Sequence, residues 1–203
     1  MTPPAMDRIF GPLGPACVAA AAAAAAARLS GGSRAFRASL AAAGAAAVLL
    51  PAGGFPIWCH LRGVAGDLSV TSIALLLGAA AAAAGKGPFR AGDVAAIAAA
   101  AALAGLLLYP TAAGFTPFDA YRLGWRPFGL ACGALAFSIW AWVSGRRAAA
   151  LVPLGALLAF DFRAMESANL WDYLLDPFLV LFSWGWWLAW IGRAIARRRP
   201  EKR

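Results

Sequence analysis

Apolar runs bounded by arginines on one side and by acids, prolines and aromatics on the other leave this chain little choice but a membrane helix bundle. Seven runs can be read: Leu13–Ala27, Leu40–Ile57, Leu68–Gly85, Asp93–Tyr109, Pro127–Val143, Ala148–Phe160 and Pro177–Ile191. A bilayer core takes about 20 mostly apolar residues per helix, somewhat fewer where flanking side chains snorkel. The stretches between runs alternate in charge. Those at 28–37, 86–92, 144–147 and 192–203 hold thirteen of the eighteen basic residues, from Arg28, Arg34 and Arg37 through Arg146 and Arg147 to Arg203. The stub 1–12 and the connections 58–67, 110–126 and 161–176 keep the other five. Six of the nine acids, Asp67, Asp119, Asp161, Glu166, Asp172 and Asp176, fall in or beside those three connections.

Lysine and arginine are retained in cytoplasmic loops. The pattern therefore predicts an all-α, polytopic bundle of seven transmembrane helices with the N-terminus outside and the C-terminus inside. It forms a single membrane-embedded domain over 1–203, with an outer stub at 1–12 and a basic cytoplasmic tail at 192–203. The run Ala148–Phe160 is short and contains Pro153, so six spans is the alternative. Folding that run back, however, would carry the basic tail outside.

Composition removes several function classes. With 203 residues, 62% hydrophobic and 13% charged, no stretch is left for a separate soluble domain. The net charge of +9 does not point to nucleic acid, because the basic residues sit in short clusters at run ends, where orientation and anionic lipid account for them. Cys17, Cys59 and Cys132 form no Cys-x-x-Cys pair, and His60 is the only histidine, which argues against thiol redox chemistry and histidine-built metal centres. Leu13–Ala27 could pass for a signal peptide, but its positive charge follows the apolar stretch instead of preceding it. The richness in Ala, Gly, Arg and Pro matches GC-rich coding, and suggests a bacterial inner membrane. Polyalanine at 19–27, 79–84 and 95–102 predicts close backbone packing in the crowded middle of the bundle. Most tryptophans fit an interfacial belt, although Trp184 and Trp187, with Trp186 and Trp190, could also bracket a flat ligand.

Each of the three outer connections carries an acid and an arginine, residues that are costly near hydrocarbon unless paired or functional. Local roles explain part of this. Thr116-Pro117 with Asp119 has the form of a helix start, as does Asp176-Pro177; Asp67 or Ser69 can cap the third run, and Asn169 with Asp172 a short surface helix. The stretch 161–176 is denser than capping requires. If 166–176 is helical, Glu166, Asn169, Tyr173 and Asp176 share a face and Asp172 stacks beside Asp176. Two such carboxylates need a cation or an arginine, and Arg62, Arg122 and Arg163 are available. A salt-bridge network holding the outer loops together is the structural expectation.

The functional expectation is a polar mouth, closed by Trp58, Tyr109, Tyr121, Trp171 and Tyr173, that binds an anionic lipid headgroup or a metal-bridged phosphate. Its binding set is Arg62, Asp67, Asp119, Tyr121, Arg122, Arg163, Asn169 and Trp171. The arginines would take phosphate oxygens, while Asp172 and Asp176 would take a divalent metal, Mg²⁺ being the natural one. The spacing Asn-x-x-Asp-x-x-x-Asp at 169–176 superficially resembles the aspartate-rich motifs of membrane prenyltransferases over eight residues, with no second motif, and no membership follows from it. Two alternatives come from other classes. One is a Mg-dependent enzyme of lipid or polyprenyl-phosphate metabolism with Glu166, Asp172 and Asp176 as catalytic groups and Glu166 as base. The other is an accessory subunit docked on a partner membrane protein. The last run has no lysine for a retinal Schiff base, and acids deep within spans, as an ion channel would want, are missing.

Overall fold

The computed structural model describes residues 7–197, and the chain there is nearly all helix. In chain order the elements are α1 (Asp7–Leu29), α2 (Arg34–Ala47), the two-residue strands β1 (Pro51–Ala52) and β2 (Phe55–Pro56), α3 (Ile57–Ala65), α4 (Val70–Ala83) and α5 (Ala91–Ala112). They continue with α6 (Arg122–Trp125), α7 (Phe128–Val143), α8 (Arg147–Asp161), α9 (Leu170–Leu174) and α10 (Pro177–Arg197). Phe10–Leu29, Ala91–Ala112 and Pro177–Arg197 are long and apolar enough to cross a membrane, and Val70–Ala83 and Phe128–Val143 are shorter apolar helices. At 1.5 Å per residue the 22 residues of α5 extend about 33 Å, whereas the 14 of α4 reach only about 21 Å. The end segments of the sequence reading, 1–6 of the stub and 198–203 of the tail, lie outside the described residues.

The helices alternate in direction, so the connections gather at two ends. At the arginine-rich end the Arg34 side chain lies against Gly85, and the Arg146 side chain lies near Gly92. Arg146 and Arg147 each stack over an indole, Trp140 at 5.1 Å and Trp142 at 5.6 Å. Asp93, buried in the first turn of α5, accepts from its own Arg90 N–H at 2.8 Å and from Ala149 N–H of α8 at 3.3 Å. One carboxylate thereby serves the positive ends of two helix dipoles. The other end carries the short elements α3, α6 and α9.

Small side chains form the helix contacts, as the polyalanine predicts. A methyl added at Gly44 of α2 would sit 2.8 Å from the Ala19 carbonyl of α1, and one at Gly105 of α5 would collide with Val180 of α10. Without a hydrophobic driving force between helices in lipid, such close backbone approach is what holds them together. Three buried clusters follow from it, among them Ala101, Leu108, Leu179 and Val180 between α5 and α10, and Ala96, Ile97, Ala149 and Val152 between α5 and α8.

Three local expectations change. Leu40–Ile57 is not one helix: α2 stops at Ala47 and the chain turns through an antiparallel hairpin at Gly53-Gly54, whose φ values are 59° and 90°. Pro51 cannot continue a helix, and a glycine pair is what a tight hairpin turn of this hand requires. Thr116-Pro117 starts no helix; the Thr116 hydroxyl donates to Phe118 O at 2.7 Å, and Asp119 accepts from Tyr121 N–H in an Asx turn at 2.9 Å. The stretch 166–176 is not a continuous helix either. Only Leu170–Leu174 is helical, so Glu166 and Asp176 share no helix face, and α9 is buried instead of lying on the surface. By contrast α8 runs straight through the buried Pro153 for 15 residues.

Candidate functional site

Asp176 is the anchor of the acid-rich end. Its Oδ1 accepts from Leu179 N–H at 2.9 Å, the N-cap that Asp176-Pro177 foretells, while Oδ2 accepts from Ser69 N–H at 3.0 Å, from the Ser69 hydroxyl at 2.6 Å and from the Ser72 hydroxyl. Ser69 is itself the cap of α4, accepting from Ser72 N–H at 3.2 Å. A carboxylate only 4% exposed thus sits between the N-termini of α4 and α10, and four donors replace its lost water. Ser72 was not singled out by the sequence; the Ser69-x-x-Ser72 spacing at a helix start is the signal that could have found it.

Around this anchor the three connections meet. Arg62 of α3 grips Asp67 with both forks, Nε at 2.5 Å and Nη2 at 2.8 Å, and the same Nη2 lies 3.4 Å from Glu166. Asp172 accepts from the Tyr121 hydroxyl at 3.0 Å and from the Ser167 hydroxyl. Asn169, fully buried, caps α9 through Trp171 N–H at 2.9 Å and donates to Tyr121 O at 3.0 Å, while the Trp171 indole donates to Ala120 O at 2.9 Å. Tyr173 closes the loop before α9 by donating to Ser167 O and accepting from Met165 N–H. Gly124 must be glycine here, since a Cβ would fall 1.7 Å from Asn169 Oδ1.

A cavity of about 500 Å³ opens beside this layer, walled by Asp67, Tyr109, Tyr121, Ser167, Asp172 and Asp176 together with Leu108 and Leu175. Three carboxylates and two phenols face it. Of the arginines expected to join them, none lines this wall: Arg62 reaches it only through Asp67, to which it is bound together with Glu166, whereas Arg122 and Arg163 are exposed and make no ion pair among the described residues. Arg163 instead ends α8 with a left-handed φ of 49°. Asp119 is spent on its own turn, and Glu166, 61% exposed at its side chain, is the most accessible acid of the group. Trp58 packs on Gly11 of α1 rather than at the cavity, and Trp171 and Tyr173 support it from behind. Among the described residues no three His, Cys, Asp or Glu side chains gather as a metal cage. All three carboxylates on the wall are engaged, Asp67 by Arg62 and Asp176 by four donors, so a cation here would meet Asp172 most readily, where only the hydroxyls of Tyr121 and Ser167 would have to share the oxygens.

Burial, then the hydrogen bond and charge of Asp172, push the Tyr121 phenol from about 10 up to about 12. The folded chain holds this proton more tightly than the unfolded one, so the contribution to stability is complete below about pH 10 and is lost as pH rises through about 12. The phenolate absorbance of the wild type minus that of Tyr121→Phe should accordingly show a late-titrating tyrosine. A Tyr121 component titrating near pH 10 would mean that the bond to Asp172 does not persist.

Comparison with known families, curated proteins and solved structures finds no match to this chain, so the site geometry carries the functional reading alone.

Proposed function

We propose that this chain is a bacterial inner-membrane protein of seven crossings, N-terminus outside and C-terminus inside, whose acid-rich end receives a lipid phosphate held through a bridging divalent cation. The observation that carries this reading is the carboxylate-walled cavity at the end that the charge rule puts outside. A bare phosphate would meet the carboxylates of Asp172 and Asp176 with no arginine on the wall to offset them, Arg62 being already spent on Asp67 and Glu166. A divalent cation reverses the sign: Mg²⁺ keeps several waters and binds one or two carboxylates together with phosphate oxygens. Arg62 supports such a site indirectly, by fixing Asp67 of the wall and Glu166 beside it.

Manganese serves as the probe. Protein in nanodiscs containing phosphatidylglycerol is expected to bind Mn²⁺, read by electron paramagnetic resonance, and Asp172→Asn to weaken that binding at least tenfold while Arg122→Ala leaves it unchanged. Binding no greater than that of protein-free nanodiscs would end the proposal. Orientation is checked separately with reporter fusions: alkaline phosphatase placed after Arg203 should be inactive and placed within 113–118 active, and the reverse pattern removes the outer site altogether.

A second reading, the accessory subunit, draws on a different observation, the internal saturation of Asp176 and Arg62, which makes the acid-rich end a clasp. Co-purification of a stable membrane partner that is lost in Asp172→Asn, with Mn²⁺ binding absent from the wild type, favours it. The catalytic version, with Glu166 as base, requires turnover of a labelled polyprenyl phosphate or phospholipid in the presence of Mg²⁺.

A further inference from the structure

A second cavity, about 190 Å³, lies between α5 and α7 over a floor of Val152 and Pro153 from α8. Its side walls are Ala100, Ala101 and Ala104 on one helix and Gly133 and Ala134 on the other, with Ile97, Leu130 and Phe137 at its ends. Stretches as small as Ala100–Ala104 and Gly133-Ala134 normally let two membrane helices come into direct contact. Here they do not: α5 packs on α8 and α10, α7 packs on α8, and a cleft remains between them. Along α5 it extends from Ile97 to Ala104, about 10 Å of helix, at the depth of the hydrocarbon.

Two features indicate what fills it. At the acid-rich end Thr71 lines the cleft, 6% exposed, and its hydroxyl makes no hydrogen bond with any described residue. Neighbouring Ser69 and Ser72 both spend theirs on Asp176. A hydroxyl left facing an apolar cleft, with no partner in the protein, is better satisfied when something in the cleft supplies an acceptor. The second feature is adjacency. Leu175 lines both this cleft and the carboxylate cavity, and Trp171 in the cleft wall is adjacent in α9 to Asp172 in the cavity wall.

We infer that the α5/α7 cleft binds an acyl chain of a glycerophospholipid, with the ester carbonyl accepting from Thr71 and the headgroup reaching the cavity beyond Leu175. An ester suits Thr71 because it is a neutral acceptor. A polyprenyl phosphate has no oxygen but those of its charged end, and setting that charge in an apolar wall without a counter-ion is costly. The placement of the headgroup rests on the function proposed above, whereas the placement of the chain is independent of it.

Photolabelling tests the chain directly. The full-length protein, in vesicles of phosphatidylethanolamine and phosphatidylglycerol doped with a phospholipid carrying a mid-chain diazirine, is irradiated and the label mapped by mass spectrometry. Label is expected to concentrate at Ala100–Ala104 and Gly133–Phe137 over lipid-facing Leu106 and Ile139. Gly133→Leu enters open space, since a Cβ there meets nothing within 4 Å, and should lower cleft labelling at least fivefold with Mn²⁺ binding unchanged. Thr71→Val, nearly isosteric, should lower it at least twofold, and gives a second reading should the leucine variant fold poorly. Label spread evenly over Leu106 and Ile139 in wild type and variants overturns the inference, as does preferential cleft labelling by a diazirine polyprenyl phosphate. Cleft labelling without Mn²⁺ binding supports the chain site and removes only the bridged headgroup.

Discussion

Exchanging Asp176 for alanine is expected to destabilise the folded chain by about 3–5 kcal/mol, because truncating one partner of a buried, charged hydrogen-bond cluster orphans all the others. Four donors lose their acceptor at once: Leu179 N–H at the start of α10, Ser69 N–H, and the hydroxyls of Ser69 and Ser72 at the start of α4. Two helix N-termini, more than a hundred residues apart in sequence, also lose the anion their dipoles share. Asparagine should rescue only in part, since its Nδ2 would present a donor to donors. Asp93 makes the comparison informative. It bridges α5 and α8 at the opposite end with two backbone partners only, so Asp93→Ala should cost about 1–2 kcal/mol. Reversible unfolding in mixed micelles, followed by tryptophan fluorescence, measures both. Equal losses, or a loss under about 1 kcal/mol at Asp176, would show that this clasp does not hold α4 and α10 together.

Gly124→Ala is expected to cost about 2–3 kcal/mol through overpacking and, more tellingly, to abolish the site. The added methyl would sit 1.7 Å from Asn169 Oδ1 and 2.9 Å from the Trp171 ring, and neither can yield freely. Asn169 is fully buried and tied to Tyr121 O and Trp171 N–H, and the Trp171 indole is tied to Ala120 O. Displacing them separates α6 from α9 and moves Tyr121 off Asp172, so Mn²⁺ binding should fall at least tenfold. Gly129→Ala in the first turn of α7 is the control: a Cβ there meets nothing, so the exchange should be close to neutral in stability and leave binding unchanged. Unchanged binding in Gly124→Ala would separate the α6/α9 contact from the cavity.

Much of the local structure was legible because it depends on near neighbours. Ser69, Asn169 and Asp176 are caps, as residue type and spacing implied, since a cap needs only the two or three N–H groups that follow it. The helices follow the apolar runs for the same reason. The hairpin inside Leu40–Ile57 was written in Pro51 and Gly53-Gly54, and was hidden only by the apolar character of the residues around them. That the three connections lie at one end was also foreseeable, because alternating helices return every second turn to the same end; that 110–126 joins the others through the Tyr121 hydroxyl and the Tyr121 and Ala120 carbonyls, and not through Asp119 or Arg122, was not.

Which acid meets which partner was not. Asp67 and Glu166 were both free to take Arg62, Arg122 or Arg163; the fold gives both to Arg62 and leaves the other two arginines in the open. Asp172 and Asp176, adjacent by helical spacing, part company because α9 ends at Leu174, so one joins Tyr121 and Ser167 while the other turns to Ser69 and Ser72. Run lengths, caps and the charge of each end are set by interactions a few residues long and can be read along the chain. Pairing across α4, α6, α9 and α10 depends on distances that exist only after small residues have let the helices close, and the sign of charge facing the cavity is decided there.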